Sequence, residues 1–252
     1  WEAFADAMET VRVNGEAMGY YSYGSGQGSI RMFNAALAAT PAGAEMLKGP
    51  LTVDAINSEE FADAFRTVAT LDQQNGSANS SVNANDFAAD FNNGLSAVFI
   101  TGVWGASQFA GSDNFVSCIY PNSVAISSAN TGLYVANDLS DAQKELALEF
   151  IKYMTSEEVQ SRYFLETSSN PINENVDIQK LAQESGDPTA LKLAEACDKC
   201  NKADTIVLAI DVCWGNDVGG ALQNKFAECA VAGTDIEAKL AELQAELTAL
   251  IG

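Results

Sequence analysis

Apolar residues occur along the chain in two patterns, as short continuous runs and as stretches with one apolar position every three to four residues. The short runs predict buried strands at 17–23, 96–100, 115–120, 131–135 and 206–210. The helical spacing predicts helices from residue 1, at 29–39, 58–71 and 86–92, from 104, from 140, and at 155–164, 178–203, 214–230 and 234–250. Because short strands alternate with helices, the pattern predicts an α/β layered fold rather than a helical bundle or a β-sandwich.

Two tryptophans follow predicted strands at positions where α/β proteins often bind ligands. Trp104 comes after the strand at 96–100, and Trp214 comes after the strand at 206–210. In open α/β sheets, ligands bind beyond the carboxyl ends of the strands. An indole at that edge can stack on the apolar face of a pyranose, while nearby Asp and Asn side chains bond its hydroxyls. A core position is the competing interpretation for each ring.

A glycine-rich loop, Gly24 to Gly28, follows the first predicted strand and precedes a helix. Backbone amides at such a place can bind a phosphate, but the Gly-Lys-Ser/Thr sequence and the dinucleotide spacing are both missing. Tyr20, Tyr21 and Tyr23 lie just before the loop, so a ligand-facing loop with aromatic and hydroxyl groups is the favoured interpretation. Ordinary half-buried strand tyrosines are the alternative.

Composition and charge exclude several classes of function. The chain has 252 residues, of which 47% are apolar, so it is long enough for one large or two small domains. Its 34 acidic and 13 basic residues give a formal charge of −21, which would repel a nucleic-acid backbone. The sequence contains no His, which excludes Ser-His-Asp hydrolases and most zinc enzymes.

The five cysteines do not form a recognisable metal or redox motif. They are Cys118, Cys197, Cys200, Cys213 and Cys229. The Cys197–Cys200 spacing matches half of a zinc or redox site, but it falls in a predicted helix without a second pair or a His. We therefore expect two helical cysteines there, with the pairing of all five left open, and we expect no metal and no cofactor.

Several segments resemble the extracellular solute-binding proteins of ABC importers, specifically the large family 1 group that includes maltose-binding proteins. The resemblance is carried, in chain order, by residues 1–5 (WEAFA), 91–104 (a Phe-x-x-Gly strand start and a Gly-x-Trp turn), 120–121, 131–133, 147–160 (a helix pair with Ser-x-Glu-x-Gln character), Pro171, Trp214 and 233–237. These segments extend over nearly the whole chain.

The resemblance implies a type II periplasmic-binding-protein-like α/β fold, in which two lobes close on a solute. It also implies a longer chain, because this family normally begins with over a hundred further residues that build most of lobe I. By analogy, residues 1–130 and 182–252 belong to lobe II, and residues 131–181 are the returning segment of lobe I. The helix face of Leu146, Phe150, Ile151 and Phe164 is then expected to be exposed unless another segment covers it.

The function that the resemblance implies is capture of a neutral carbohydrate outside the cell and its delivery to an ABC transporter permease, with no enzymatic step. Trp104 and Trp214 are the predicted stacking platforms. The predicted hydroxyl-binding residues are Tyr23, Gln27, Asp211, Asn216 and Asp217. We expect an extracellular or periplasmic location, with membrane tethering only through an N-terminal lipid anchor outside this sequence, and we expect no nucleic-acid partner.

Three alternatives stay open. The acidic charge also suits a cationic solute such as a polyamine or a basic peptide on the same fold. A saccharide hydrolase with paired carboxylates is a second possibility, although no short motif isolates the pair. The third is a truncated scaffold that no longer traps a solute.

Overall fold

The computed structural model describes residues 1–15, 18–22, 27–75, 84–108, 115–128 and 132–252, with only the backbone described at 18–22, 27, 75 and 84–87. The chain forms two compact units. Unit 1 consists of Trp1–Thr101, Ile119–Ala129 and Lys202–Gly252. Unit 2 consists of Gly102–Cys118 and Asn130–Asn201. Each unit is described by itself below.

The helices and strands follow in chain order. They are α1 (Glu2–Asn14), β1 (Met18–Ser22), α2 (Gln27–Ala38), α3 (Pro41–Met46), α4 (Val53–Ile56), α5 (Glu59–Asn75), α6 (Ala84–Asn92), β2 (Ser96–Ile100), β3 (Val124–Ser127), α7 (Asp141–Met154), α8 (Glu157–Thr167), α9 (Ile178–Ser185), α10 (Pro188–Asn201), β4 (Thr205–Leu208), α11 (Ile210–Cys213), α12 (Asn216–Cys229) and α13 (Ile236–Ile251). Short 3-10 helices span Val103–Gln108 and Pro121–Ser123.

The strands of unit 1 form two parallel pairs among the described residues. β1 pairs with β2, with Met18 opposite Ser96, and β3 pairs with β4, with Val124 opposite Thr205. Parallel strands place their carboxyl ends at the same edge. Within each pair, the segments that follow both strands therefore leave the sheet at one edge.

Aromatic side chains from three helices hold the core of unit 1 together. Phe33 of α2 packs edge-on against Phe61 of α5, with ring centroids 5.1 Å apart. Phe65 of α5 stacks on Phe226 of α12 at 4.9 Å. All four rings are fully buried. Such aromatic pairs contribute beyond the area they bury, so α2, α5 and α12 form a rigid base for the strands.

Unit 2 is helical in its described residues and has a smaller core. Phe164 of α8 and Leu193 and Cys197 of α10 are buried there. The segment 115–118 is attached to α10, because Lys192 donates to the carbonyl of Phe115 and Lys199 donates to the carbonyl of Ser117. The ammonium of Lys192 also lies 4.7 Å from the centre of the Phe115 ring, which is a cation–π contact.

Helix α7 differs from its neighbours because none of its residues is buried. Leu146 is 72% exposed, and Phe150 and Tyr153 are also more than half exposed. These three residues occupy one face of the helix at i, i+4 and i+7 spacing. Phe164, which was expected on the same exposed face, is instead completely buried, because α8 turns it into the core formed with α10.

Several predicted elements are corrected. Residues 115–119 and 132–136 form no strand, and the second strand pair uses β3, which was not predicted. The predicted loop at 40–49 contains α3. Thr40 is the N-cap residue of this helix, because its side chain accepts a hydrogen bond from the amide of Gly43. Trp104 is the second residue of a 3-10 helix instead of opening an α-helix, and Trp214 ends α11 instead of opening α12.

The predicted lobe boundaries at 130 and 181 stay a prediction. In the chain itself, residues 102–118 and 182–201 lie in unit 2 together with 130–181. Among the described residues, no helix is both long and apolar enough to cross a bilayer.

Candidate functional site

Trp104 presents its indole at the surface of unit 2. The residue lies in the 3-10 turn just after β2 and is 54% exposed. The next two residues, Gly105 and Ala106, are buried and anchor this turn in the unit. A large apolar ring held on a fixed turn and open to water is a suitable surface for stacking a sugar ring.

The conformation of this indole depends on Gly102. A β-carbon at residue 102 would overlap the six-membered ring of Trp104, so any other amino acid there would push the indole aside. The amide of Gly105 donates to the carbonyl of Gly102 at 2.9 Å, which closes the turn underneath the ring. The Gly-x-Trp spacing therefore allows the ring to lie flat over the backbone.

Trp214 occupies a different environment from Trp104. It is only 8% exposed and belongs to the core of unit 1, where its ring stacks on Phe61 with centroids 6.4 Å apart. Its Nε1 donates to the carbonyl of Met46 at 3.3 Å. The expectation that unit 1 presents this ring at its surface is therefore corrected, since α3 and α5 cover the indole. A ligand contact by Trp214 stays a prediction.

Predicted polar residues follow the carboxyl end of β4. Asp211 lies in α11 and is half-buried, and Asn216 and Asp217 are exposed in the first turn of α12. Asp211 accepts a hydrogen bond from Arg31 Nη1 at 2.5 Å. The Arg31 guanidinium holds the pKa of the Asp211 carboxyl below its ordinary value, so this carboxylate stays ionised at neutral pH.

Asn34 fixes the backbone at this edge. It is fully buried, its Nδ2 donates to the carbonyl of Leu208 at 3.3 Å, and its Oδ1 accepts from the amide of Ile210 at 2.9 Å. The two bonds attach α2 to the turn between β4 and α11. Together with the contact between Arg31 and Asp211, they make one rigid polar cluster.

Sequence reasoning found Asp211 but missed Arg31 and Asn34. Both lie on α2, far from Asp211 along the chain, and an isolated Arg and Asn in an amphipathic helix give no site-specific signal. The one available signal was Asn34 itself, because a polar residue between the apolar positions 33 and 35–37 falls on the buried face of the helix.

Tyr23 lies outside the described residues, and the side chain of Gln27 lies outside them as well. Gln27 begins α2, directly after the loop that follows β1. Both residues stay predictions.

All five cysteines are described, and all are free thiols. Burial raises the pKa of the Cys197 thiol to about 12, and that of Cys213 to about 11. Thiols with such pKa values are protonated at neutral pH and are poor nucleophiles. The two-cysteine spacing in α10 therefore serves packing. Among the described residues, no group of three or more Cys, Asp or Glu side chains is arranged to hold a metal ion.

Short parallel strands that are followed by helices define an α/β chain, and an exposed indole comes after β2. The chain belongs to the bacterial extracellular solute-binding proteins, since the model of that family matches residues 1–189. The suspected family membership is thereby confirmed. No curated protein matches the chain.

Solved structures support the same fold over the whole chain. A Streptococcus pneumoniae solute-binding protein in complex with the blood group A-trisaccharide is 37% identical, with a TM-score of 0.90 over 99% of this chain and 63% of its own. A chitin oligosaccharide binding protein is 19% identical, with a TM-score of 0.73 over 98% and 63% of the two chains. A maltose-bound protein from T. maritima is 15% identical, with a TM-score of 0.63 over 99% and 65%.

These comparisons confirm the predicted α/β solute-binding fold class. The chain spans less than two thirds of the length of each of these three proteins.

Proposed function

We propose that this chain is part of an extracellular receptor that captures a neutral carbohydrate for an ABC importer. The observation that carries the proposal is the exposed indole of Trp104 in a chain that is 37% identical to a trisaccharide-binding protein of the same fold. Identity at that level over the whole chain supports a related ligand class, and the indole supplies the surface that such a ligand needs.

The proposed mechanism is binding without chemistry. Trp104 stacks on the apolar face of a sugar ring. Asp211 and Asp217 accept hydrogen bonds from sugar hydroxyls, and the amide of Asn216 donates or accepts them. Trp214, Tyr23 and Gln27 remain further proposed contacts. Basic partners lower the pKa values of several carboxylates, for example that of Glu195 beside Lys199 and that of Asp211 beside Arg31. A general acid needs the opposite shift, which argues against a glycosidase among these groups.

A thermal-shift panel tests the ligand class. The full-length protein is heated with the blood group A-trisaccharide, chitin oligosaccharides, maltose and spermidine, each at about 100 times a micromolar Kd. Binding at that excess stabilises the native state by about 2.7 kcal/mol, which raises the Tm by several degrees. A shift with at least one saccharide and none with spermidine is expected. A shift with spermidine alone would replace the proposal with the cationic-solute alternative.

We also propose that residues 131–181 return to a first lobe, which would cover the apolar face of α7. The exposure of Leu146, Phe150 and Tyr153 supports this, because soluble proteins rarely leave such a face open to water. In the full-length protein, Leu146→Glu should lower the Tm by several degrees, whereas Glu145→Gln on the same helix should not. Equal Tm values for both variants would contradict the lobe assignment.

Delivery to a permease and anchoring by a lipid complete the proposal. Membership of the extracellular solute-binding family supports both. Co-purification of the full-length protein with an ABC permease would test delivery, and metabolic labelling with a fatty acid would test the anchor.

A further inference from the structure

Arg31 and Asp211 form an ion pair between α2 and α11 whose two side chains are about a quarter open to solvent. Their side chains are 29% and 24% exposed, and the Nη1 to Oδ1 distance is 2.5 Å. Most other ion pairs of the described residues join neighbours three or four positions apart on one helix. This pair joins residues 180 positions apart and lies at the carboxyl edge of β4.

Helix α2 is attached to the carboxyl edge of β4 even without the ion pair between Arg31 and Asp211. Asn34, one turn further along α2, already makes two hydrogen bonds to the backbone of Leu208 and Ile210. Partly exposed ion pairs add little to stability, because solvent screens them and ordering the side chains costs entropy. Stability alone therefore gives a weak reason for placing an Arg here.

The chemistry of the pair matches adjacent hydroxyl groups. A carboxylate only accepts hydrogen bonds and a guanidinium only donates them, whereas each sugar hydroxyl does both. Two neighbouring hydroxyls can therefore donate to Asp211 and accept from Arg31. Because the two charges compensate each other, the cluster offers a cation little net attraction, which suits a neutral polyol.

We propose that Arg31 is a specificity-determining residue that fixes Asp211 and binds, together with it, the adjacent hydroxyls of a neutral saccharide. This inference rests on the proposed carbohydrate function and adds to it a residue that the sequence did not indicate. Arg31 and Asp211 then act as one unit, with a fixed donor side and a fixed acceptor side.

Calorimetric titration with the blood group A-trisaccharide tests the pair, using the full-length protein and its Arg31→Gln and Asp211→Asn variants. Each substitution should weaken binding about tenfold or more, since a hydrogen bond to a charged group is lost. Arg66→Gln is the matched control, because Arg66 also pairs across helices, with Glu237 of α13, in the same unit. It should leave the affinity unchanged. Wild-type affinity in both site variants would overturn the inference.

A charge exchange separates ligand binding from a purely structural role. The double variant Arg31→Asp with Asp211→Arg restores an attractive pair but reverses its donor and acceptor sides. Recovery of the Tm without recovery of affinity supports the proposal, and recovery of both would show that the pair only joins the helices. If the exchanged protein does not fold, the single variants decide.

The failure of this inference can be distinguished from the failure of the proposed function. If the wild-type protein binds no saccharide in the thermal-shift panel, the proposed function is wrong. If it binds a saccharide with an affinity that substitutions at residues 31 and 211 do not change, only this inference is wrong.

Discussion

At the scale of single residues, the position of the Trp104 indole depends on a neighbour that has no side chain. The ring lies over Gly102, where a β-carbon would overlap it. Since the ring is the exposed end of the side chain, it can swing away from an added methyl group without disturbing the core. The position of the ring can therefore be changed while its chemical identity is kept.

Gly102→Ala should weaken saccharide binding while leaving the fold intact. The displaced indole loses its stacking geometry, so we expect a loss of about tenfold, or about 1.4 kcal/mol, by calorimetry. The Tm should change by no more than about two degrees. Gly49→Ala is the control, because a β-carbon there meets no other atom. Equal affinity in both variants would mean that the ring position does not matter.

Asn34→Ala should destabilise the protein considerably. The substitution leaves the buried amide of Ile210 and the partly buried carbonyl of Leu208 without their side-chain partner, at a cost of about 1–3 kcal/mol. Urea unfolding measures this as a lower midpoint. Asn57→Ala, which removes one exposed bond to the carbonyl of Val53, should cost less than about 0.5 kcal/mol. Similar losses in the two variants would contradict the role given to Asn34.

The two tryptophans show how far residue-level prediction extends. Both follow strands, so position alone gave them the same predicted role. Their difference is that α3 and α5 cover Trp214, whereas Trp104 is more than half exposed. Such covering is a tertiary property, and local sequence carries no signal for it.

At the scale of elements, the helices with a regular apolar face were predicted well, and so were the strands β1, β2 and, in part, β4. The prediction failed for β3, which was missed, and for the two expected strands at 115–120 and 131–135. In helices α5 and α13 the apolar residues keep a helical spacing over several turns, so the sequence alone predicts both helices. The strand β3 has four residues and pairs with β4, which comes much later in the chain. The apolar run at 115–120 looked equally suitable, but in the structure only Tyr120 makes a bridge, to Val124.

Phe164→Ala on α8 should destabilise unit 2 strongly. The ring is fully buried in the small core with Leu193, and removing it leaves a cavity that costs about 3–5 kcal/mol. Its neighbour Leu165 is 39% exposed, so Leu165→Ala should cost about 1 kcal/mol or less. Chemical denaturation followed by circular dichroism distinguishes the two. A small loss for Phe164→Ala would mean that α8 is not packed as described.

At the scale of the whole molecule, charge and ligand class are separate properties. The net charge of −21 repels other polyanions, but it does not identify the solute. Fold class and family could be predicted because weak motifs occurred in the right order over most of the chain, and the family match at 1–189 confirms them. Which side chains meet at the edge of β4 could not be predicted, because α2 and α11 approach only in the folded protein.

Saccharide binding should be almost independent of salt. Raising NaCl from about 50 to about 500 mM shortens the screening length severalfold and weakens capture of a cation by an acidic surface. A neutral sugar gains nothing from that surface, so its Kd should change by less than about twofold. Steep salt dependence of the affinity for the natural solute would favour the polyamine or basic-peptide alternative.

The central claim is that a saccharide stacks on the indole of Trp104, and calorimetric titration of wild-type protein and Trp104→Ala with the same saccharide tests it most directly. Removing an aromatic residue at the centre of a binding site costs about 2 kcal/mol or more, which corresponds to about a 30-fold loss of affinity. The account predicts saturable binding to the wild type and at least that loss in the variant at an unchanged Tm. Equal affinity of the two proteins would contradict it.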